Sequence, residues 1–258
     1  MPPSPVSGSD LADSIRLGLL VGVVAAVILF PLSVNSGADS DLNRLSAFTG
    51  NVIRPGERPA RYADFGRYSP SNEARHIADW VIDSADSQGA DFVLIDKKNA
   101  SVLVFDGHGR LRGASAVLLG GATGDDSVPG IGTRPIDQVR PEERTTPAGR
   151  FVGERGHNSR GEDVVWVDYD AAVSMHRVLT THPEERRLER LATPTADDNR
   201  VSWGCINVPV QFFETYISPI FAARHAVIYV LPEVKSVQWV FGSYDVHTKH
   251  AKPWSRAS

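Results

Sequence analysis

Apolar positions along the chain fall mostly into short runs punctuated by turn-forming residues, and few stretches carry helical spacing. From 71 to 86, Ile77, Val81 and Ala85 recur about one turn apart with Ser71 placed to cap, which predicts a helix. The runs at 92–96 and 101–106 predict two strands joined by a short hairpin connection at 97–100. Gly107-His108-Gly109 turns the chain again, and 114–119 extends the meander. Further strands are expected at 150–152, 164–168, 172–176, 227–231 and 237–241. The stretch 209–221 reads as an amphipathic helix with Val210, Phe213, Ile217 and Phe221 on one side, its last turn bent by Pro219. Thr181 and Glu184 stand at capping-box spacing before a short charged helix that has only Leu188 and Leu191 to bury, which fits a surface flap.

Between Gly120 and Thr146 there is no periodicity, and a long surface loop is expected. Its GGATGDD stretch lacks the Gly-Lys-Ser/Thr and the following helix of a phosphate loop. The segment Thr146-Pro147-Ala148-Gly149 suits a type I turn. Many short strands with turn signals indicate a mainly β domain with short helices, a β-sandwich or irregular barrel. The last residues, 247–258, read as a loose tail.

One segment stands apart. Residues 17–34 carry no charge, and a helix of that length reaches roughly 27 Å, just short of a bilayer's hydrocarbon core. The uninterrupted part, 17–30, has the length of a signal-peptide core, and Ser36-Gly37-Ala38 is a small-x-small cleavage site. Asp10 and Asp13 offset Arg16 and the terminal amine, which favours an uncut N-terminal hydrophobic anchor helix. In either case the body of the chain is expected to be exported, to the periplasm or the envelope side of the inner membrane. The expected organisation is a leader at 1–38, a linker and short helical arm at 39–90, a catalytic domain at 91–232 and a C-terminal strand and tail at 233–258.

Composition narrows the chemistry. With 27 Lys+Arg against 31 Asp+Glu, the net charge of −4 argues against a nucleic-acid partner. A single cysteine removes a disulfide framework and any multi-cysteine metal site, and no cofactor or metal is expected; a Cys205/His176/His182 zinc site would have only one thiolate. That cysteine lies in Arg200-Val-Ser-Trp-Gly-Cys-Ile-Asn-Val208, after a strand-like segment and before a helix. A Gly-Cys turn can present a sulfur and aim backbone N–H groups at one point, as acyl transfer requires. A thiol needs a nearby base to ionise at neutral pH. His157 falls in a turn-like stretch and His182 at a helix start. His176 ends a strand whose alternation puts Val173 and Met175 on one face and Ser174 and His176 on the other, and is the preferred partner.

The order of hairpin strands, TPAGRF (146–151), strand-end His176 and SWGCIN (202–207) resembles the L,D-transpeptidase catalytic domain over roughly 91–232. The family pattern is Ser-His-Gly-Cys-(Ile/Leu/Val)-(Arg/Asn) behind a strand-end histidine, matched by Ser202, Gly204, Cys205, Ile206, Asn207 and His176. Trp203 stands where the family commonly has histidine, and Cys205 follows His176 by 29 positions, a longer gap than usual, with the charged segment 183–199 as a possible lid. The resemblance implies a thioester on Cys205 formed from a peptidoglycan stem tetrapeptide with loss of its terminal D-alanine, His176 as acid and base, and N–H groups near Gly204 and Cys205 as oxyanion donors. It implies substrate contacts from Ser202, Trp203, Gly204, Asn207 and Arg200. For Arg200 an ion pair with Asp197 or Asp198 is the alternative. The acyl acceptor stays open among an amine of another stem, a D-amino acid, a lipoprotein and water. The competing expectation is a catalytically silent, membrane-tethered peptidoglycan-binding domain. The membrane enters as a partner only through an uncut anchor; oligomeric state is not legible.

Overall fold

Five-residue strands that are buried on both faces set the architecture. In β1 (Phe92–Asp96), Val93 and Ile95 point to one apolar cluster while Phe92 and Leu94 point to another, so a continuous apolar run serves two layers. The computed structural model describes residues 58–223 and 225–251. The hydrophobic segment at 17–34 and the whole leader lie outside the described residues, among which no helix is long and apolar enough to cross a membrane.

β1 pairs antiparallel with β2 (Ser101–Phe105), which pairs with β3 (Leu111–Ala116). On its other side β1 runs parallel to β10 (Ala226–Val230), and β10 leads through β5 (Gly149–His157), β6 (Asp163–Asp168) and β7 (Val173–Arg177) to β9 (Ile206–Val208). This gives an eight-stranded sheet in the order β3-β2-β1-β10-β5-β6-β7-β9. An antiparallel bridge between Leu118 and Asn207 brings the chain just after β3 against β9, so the sheet curls into a nearly closed barrel. A small parallel pair, β4 (Leu119–Gly120) with β8 (Arg200–Ser202), lies beside that junction. The fold is mainly β with short helices, as the spacing of apolar runs implies.

Val93, Val102, Val104, Val165, Met175, Ile206 and Ile228 build the inner cluster. Phe212, Phe213, Ile217 and Phe221 of the helical stretch 210–223 pack into the same cluster. That stretch contains a π-helical turn, Phe213–Ile217, directly before Ser218–Ala223, in the region where Pro219 lacks an amide donor. On the outer face, helix α1 (Asn72–Ser84) lays Ile77, Ala78 and Val81 against Phe92, Leu103, Phe105 and Tyr229. Ser71 caps α1 by accepting from Ala74 N at 3.0 Å.

Three local expectations are corrected. The C-terminal strand expected at 237–241 is a helix, Val237–Phe241: Ser236 caps it through Trp239 N, and Gly242 closes it with φ of 62°. Four apolar residues and Gln238 are too few to show a period by themselves, and the caps decide. The tail expected to be loose from 247 on is helical over Val246–His250 and fastened to α1, with Tyr244 Oη donating to Asp83 at 2.7 Å and His250 Nε2 at 3.0 Å from the same carboxylate. The type I turn at 146–149 is absent: the segment is extended and bonds outward, Ala148 N donating to Asp125 O at 2.9 Å.

The loop from 121 to 146 is more than a surface excursion. Its beginning is held by Lys97, whose side chain is fully buried at the end of β1. The ammonium donates to Asp125 Oδ1 and Thr146 O, each at 2.9 Å, and to Gly124 O. Asp125 in turn accepts from the N–H groups of Glu233, Val234 and Lys235. Glu233 pairs with Arg200 and lies 3.6 Å from Lys97. Burial pushes the Asp125 carboxyl up, but the Lys235 and Glu233 N–H groups and the Lys97 ammonium prevail and hold it at about 2.

Lys97→Met leaves Asp125 and Glu233 buried without their shared cation, and is expected to cost about 3–5 kcal/mol in urea unfolding. Because Asp125 is depressed below its usual 3.8, its contribution is complete above that pH and disappears as pH falls towards about 2. A wild-type unfolding midpoint that stays flat across that window would contradict this assignment.

Candidate active site

β7 and β9 lie side by side and parallel, with Met175 opposite Ile206 and His176 opposite Asn207. Cys205 immediately precedes β9 and comes to rest beside Ser174. The parallel register therefore brings together two side chains that are 29 positions apart in sequence, Cys205 and His176. Val173 and Met175 point into the barrel core, and Ser174 and His176 lie on the opposite face of β7.

The turn before Cys205 admits only glycine. Gly204 has φ of 128°, and a Cβ there would stand 2.9 Å from Thr145 O. Ser202 closes the turn, its Oγ donating to Cys205 O at 2.6 Å and accepting from Gly204 N at 3.1 Å. Thr146, fully buried, donates to Gly204 O at 2.8 Å and accepts from Gly120 N at 2.9 Å. These bonds fix the backbone that carries the thiol.

The sulfur, partly exposed, accepts from Ser174 N at 3.5 Å and lies 3.6 Å from Ser174 Oγ. His176 Nδ1 is 2.7 Å from Arg177 O; a carbonyl only accepts, so Nδ1 carries the proton and Nε2 is the nitrogen left for the thiol. Burial pushes the Cys205 thiol up, but His176 and the Ser174 N–H and hydroxyl outweigh it, and the net shift is downward. Burial pushes His176 down; the interaction with Cys205 and the bond to Arg177 O outweigh that, and the net shift is upward. Opposite shifts on partners favour the thiolate–imidazolium form of the pair relative to the free side chains.

Cys205 opens on a cleft of about 180 Å³ walled by Ile131, Ile136 and Val139 of the 121–146 loop and by Val173 and Trp203. The Arg144 guanidinium carbon stands 3.4 Å above the Trp203 ring and holds the indole as a wall of the cleft. His176 borders a second hollow, about 310 Å³, together with Glu162, Asp163 and Arg177. Thus the thiol and its base face separate openings.

The sequence-selected residues divide by location. Cys205, Trp203 and the Gly204 turn are at the cleft. Ser202 and Asn207 are buried and occupied: the Ser202 hydroxyl works within the turn, and Asn207 Oδ1 accepts from Arg187 Nη1 at 2.6 Å while its Nδ2 donates to Cys205 O at 3.3 Å. Gly204 N–H is taken by Ser202, so it is no free oxyanion donor; no acceptor among the described residues takes the Cys205 N–H. Arg200 is bonded to Glu233 and, at 2.9 Å, to Lys97 O, in place of both the substrate and the Asp197 or Asp198 partners expected for it. The charged segment 183–199 does not line the cleft, and through Arg187 it buttresses Asn207 instead. His157 ends β5, exposed, and His182 is exposed beside Glu184. Sequence reading assigned no role to Ser174, Thr146 or Arg144. Ser174 shares a strand face with His176, a signal that was available; the other two are placed by long-range contacts.

No family model matches the chain, and no curated protein matches it. Among solved structures it is similar to the helical cell shape determining protein Pgp2 from Campylobacter jejuni, with a TM-score of 0.38 and 16% identity over 57% of this chain and 49% of that one. The match spans about half the length of Pgp2. It is also similar to the catalytic domain of an E. faecium L,D-transpeptidase, with a TM-score of 0.30 and 14% identity over 55% of this chain and 98% of that one.

The opposed shifts of Cys205 and His176 predict how the thiol titrates. Iodoacetamide alkylation of the folded protein should begin at a pH below that of an ordinary cysteine. His176→Gln should slow alkylation at pH 7 by about tenfold or more, as the thiol returns towards its unassisted value. Ser174→Ala should move the same inflection upward by a smaller amount. Identical profiles in all three proteins would remove the pair.

Proposed function

We propose that the chain is a cysteine-dependent L,D-transpeptidase acting on peptidoglycan stem peptides from the outer side of the membrane. The observation that carries the reading is the Cys205–His176 pair, with Nδ1–H committed to Arg177 O and the thiol lowered beside it. The sequence motif around these two residues, SWGCIN behind a strand-end histidine, supports the choice of substrate.

In this mechanism the Cys205 thiolate attacks the carbonyl joining the third stem residue to its D-alanine, and the oxyanion takes the free Cys205 N–H. The C–N bond breaks as His176 Nε2 gives its proton to the leaving amine, so free D-alanine departs and a thioester remains. An acceptor amine then attacks the thioester; neutral His176 removes its proton, and the thiolate is restored. The apolar walls given by Ile131, Val139 and Trp203 suit the methyl and methylene surfaces of the acyl donor. The hollow beside His176, lined by Glu162, Asp163 and Arg177, gives the acceptor an approach separate from that of the acyl donor.

The test is incubation of the full chain with disaccharide-tetrapeptide muropeptides, products read by mass spectrometry beside Cys205→Ala. Cross-linked dimers, or tripeptides if water is the acceptor, should form and vanish in the variant. An unchanged tetrapeptide with a folded protein and a reactive thiol would reject the reading and favour a domain that binds without turnover.

A further inference from the structure

The stretch from His176 to Cys205 holds a segment, 183–199, that lines neither the thiol cleft nor the hollow beside the imidazole. It folds on itself: Arg190 donates through Nε to Glu185 O at 2.7 Å and through Nη1 to Asp198 O, and the Thr193 hydroxyl reaches Asp198 Oδ1 at 2.9 Å. Arg187, at the start of the short helix Arg187–Ala192, is held there with its side chain only 10% exposed. Its Nε pairs with Glu185 at 2.6 Å, and its Nη1 donates to Asn207 Oδ1 at 2.6 Å.

Asn207 is where this segment meets the reactive pair. Ile206 and Val208 belong to the inner cluster, so Asn207 lies on the other face of β9. His176 is its partner in the parallel register and lies on the matching face of β7, which makes the two side chains neighbours. A guanidinium only donates, so the amide orientation is fixed, and Nδ2 turns to Cys205 O at 3.3 Å. Two bonds thus lead from Arg187 to the peptide that carries the thiol, and the same contact sets a cation beside the imidazole. The other ionisable groups facing His176 are the Cys205 thiol, Glu162 in the hollow, and Arg177, which is bonded to Glu214 at 2.6 Å and Asp163 at 2.7 Å. Burial and the Arg187 charge push the imidazole down, against the Cys205 and Arg177 O contacts that prevail.

We propose that Arg187 is a positioning residue for the reactive pair: braced on Asn207, its guanidinium weakens the hold of His176 on its proton, and Glu185 moderates the effect. The proposal rests on the transpeptidase reading only for the use of that proton, since a more acidic imidazolium gives it up more readily to a leaving amine.

The test is the titration of His176 in the full chain, read by NMR from its imidazole resonances after 15N-histidine labelling. A Cys205→Ala background lets the imidazole titrate without its coupled partner. Arg187→Gln should raise the imidazolium-to-imidazole ratio at a given pH by about twofold or more, because the neighbouring cation is gone. Arg187→Lys keeps the charge and should stay close to the parent. Glu185→Gln should move the ratio the opposite way, because Arg187 then lacks its counter-charge. A segment that is merely loosened would move both charge variants in one direction, so opposed signs separate an electrostatic role from a structural one. Glu185 is the more exposed of the pair, and its variant decides the matter where Arg187→Gln does not fold. A ratio unmoved by either variant, or moved the same way by both, would overturn the proposal. No muropeptide enters this measurement, so failed turnover beside opposed NMR shifts would count against the transpeptidase reading alone.

Discussion

Lys97 ends the first strand of the sheet with an ammonium that has no contact with solvent, and each of its three protons is committed. One goes to Thr146 O, and the Thr146 hydroxyl goes on to Gly204 O, so two hydrogen bonds separate a buried charge from the peptide before Cys205. Another reaches Asp125, whose remaining capacity gathers the backbone of 233–235. The first strand, the base of the cleft loop, the thiol turn and the C-terminal segment thus meet at one cation. A buried charge of this kind is tolerated only when every partner is in place, which makes the arrangement all-or-none rather than gradual.

From that anchor the reactive pair follows by geometry. A parallel register sets the cysteine beside Ser174 on the strand that carries His176, and the strand-end carbonyl of Arg177 selects the histidine tautomer. The loop contributes apolar walls, and Arg144 pins Trp203 as one of them. At the position where the resembled family commonly carries histidine, this chain uses an indole held from above by a guanidinium, a surface with shape and little proton chemistry. The imidazole beside the thiol is that of His176.

The sequence made legible what depends on local pattern. Alternation along 172–176 separated core from functional face, Gly-Cys marked the turn, and the apolar runs at 92–96 and 101–106 gave the first hairpin. Patterns without a period were misread: Val237 to Phe241 is apolar apart from Gln238, and only Ser236 and Gly242 reveal a helix. Residues whose roles come from partners far away in sequence were misassigned for the same reason. Ser202, Asn207 and Arg200 are polar and near the cysteine, which invites a substrate role. Ser202 is spent within its own turn on Gly204 N and Cys205 O, while the bonds of Asn207 to Arg187 and of Arg200 to Glu233 arise from contacts that no local window contains.

The strand order carries a temporal consequence. β10 is the last strand in sequence, yet in space it lies between β1 and β5 and joins the hairpin that bears Lys97 to the sheet that bears His176 and Cys205. Until residues 226–230 insert, the two halves share the inner apolar cluster, the junction near Leu118 and loop contacts, but lack the strand that joins them into one sheet. Such long-range pairing is slow to form, because loop closure must precede its reward. A chain emerging from the ribosome therefore holds its one cysteine before the sheet that Lys97 anchors is complete. The buried ammonium and the thiol turn enter one sheet only with this last strand, so the setting of the thiol is completed late in folding.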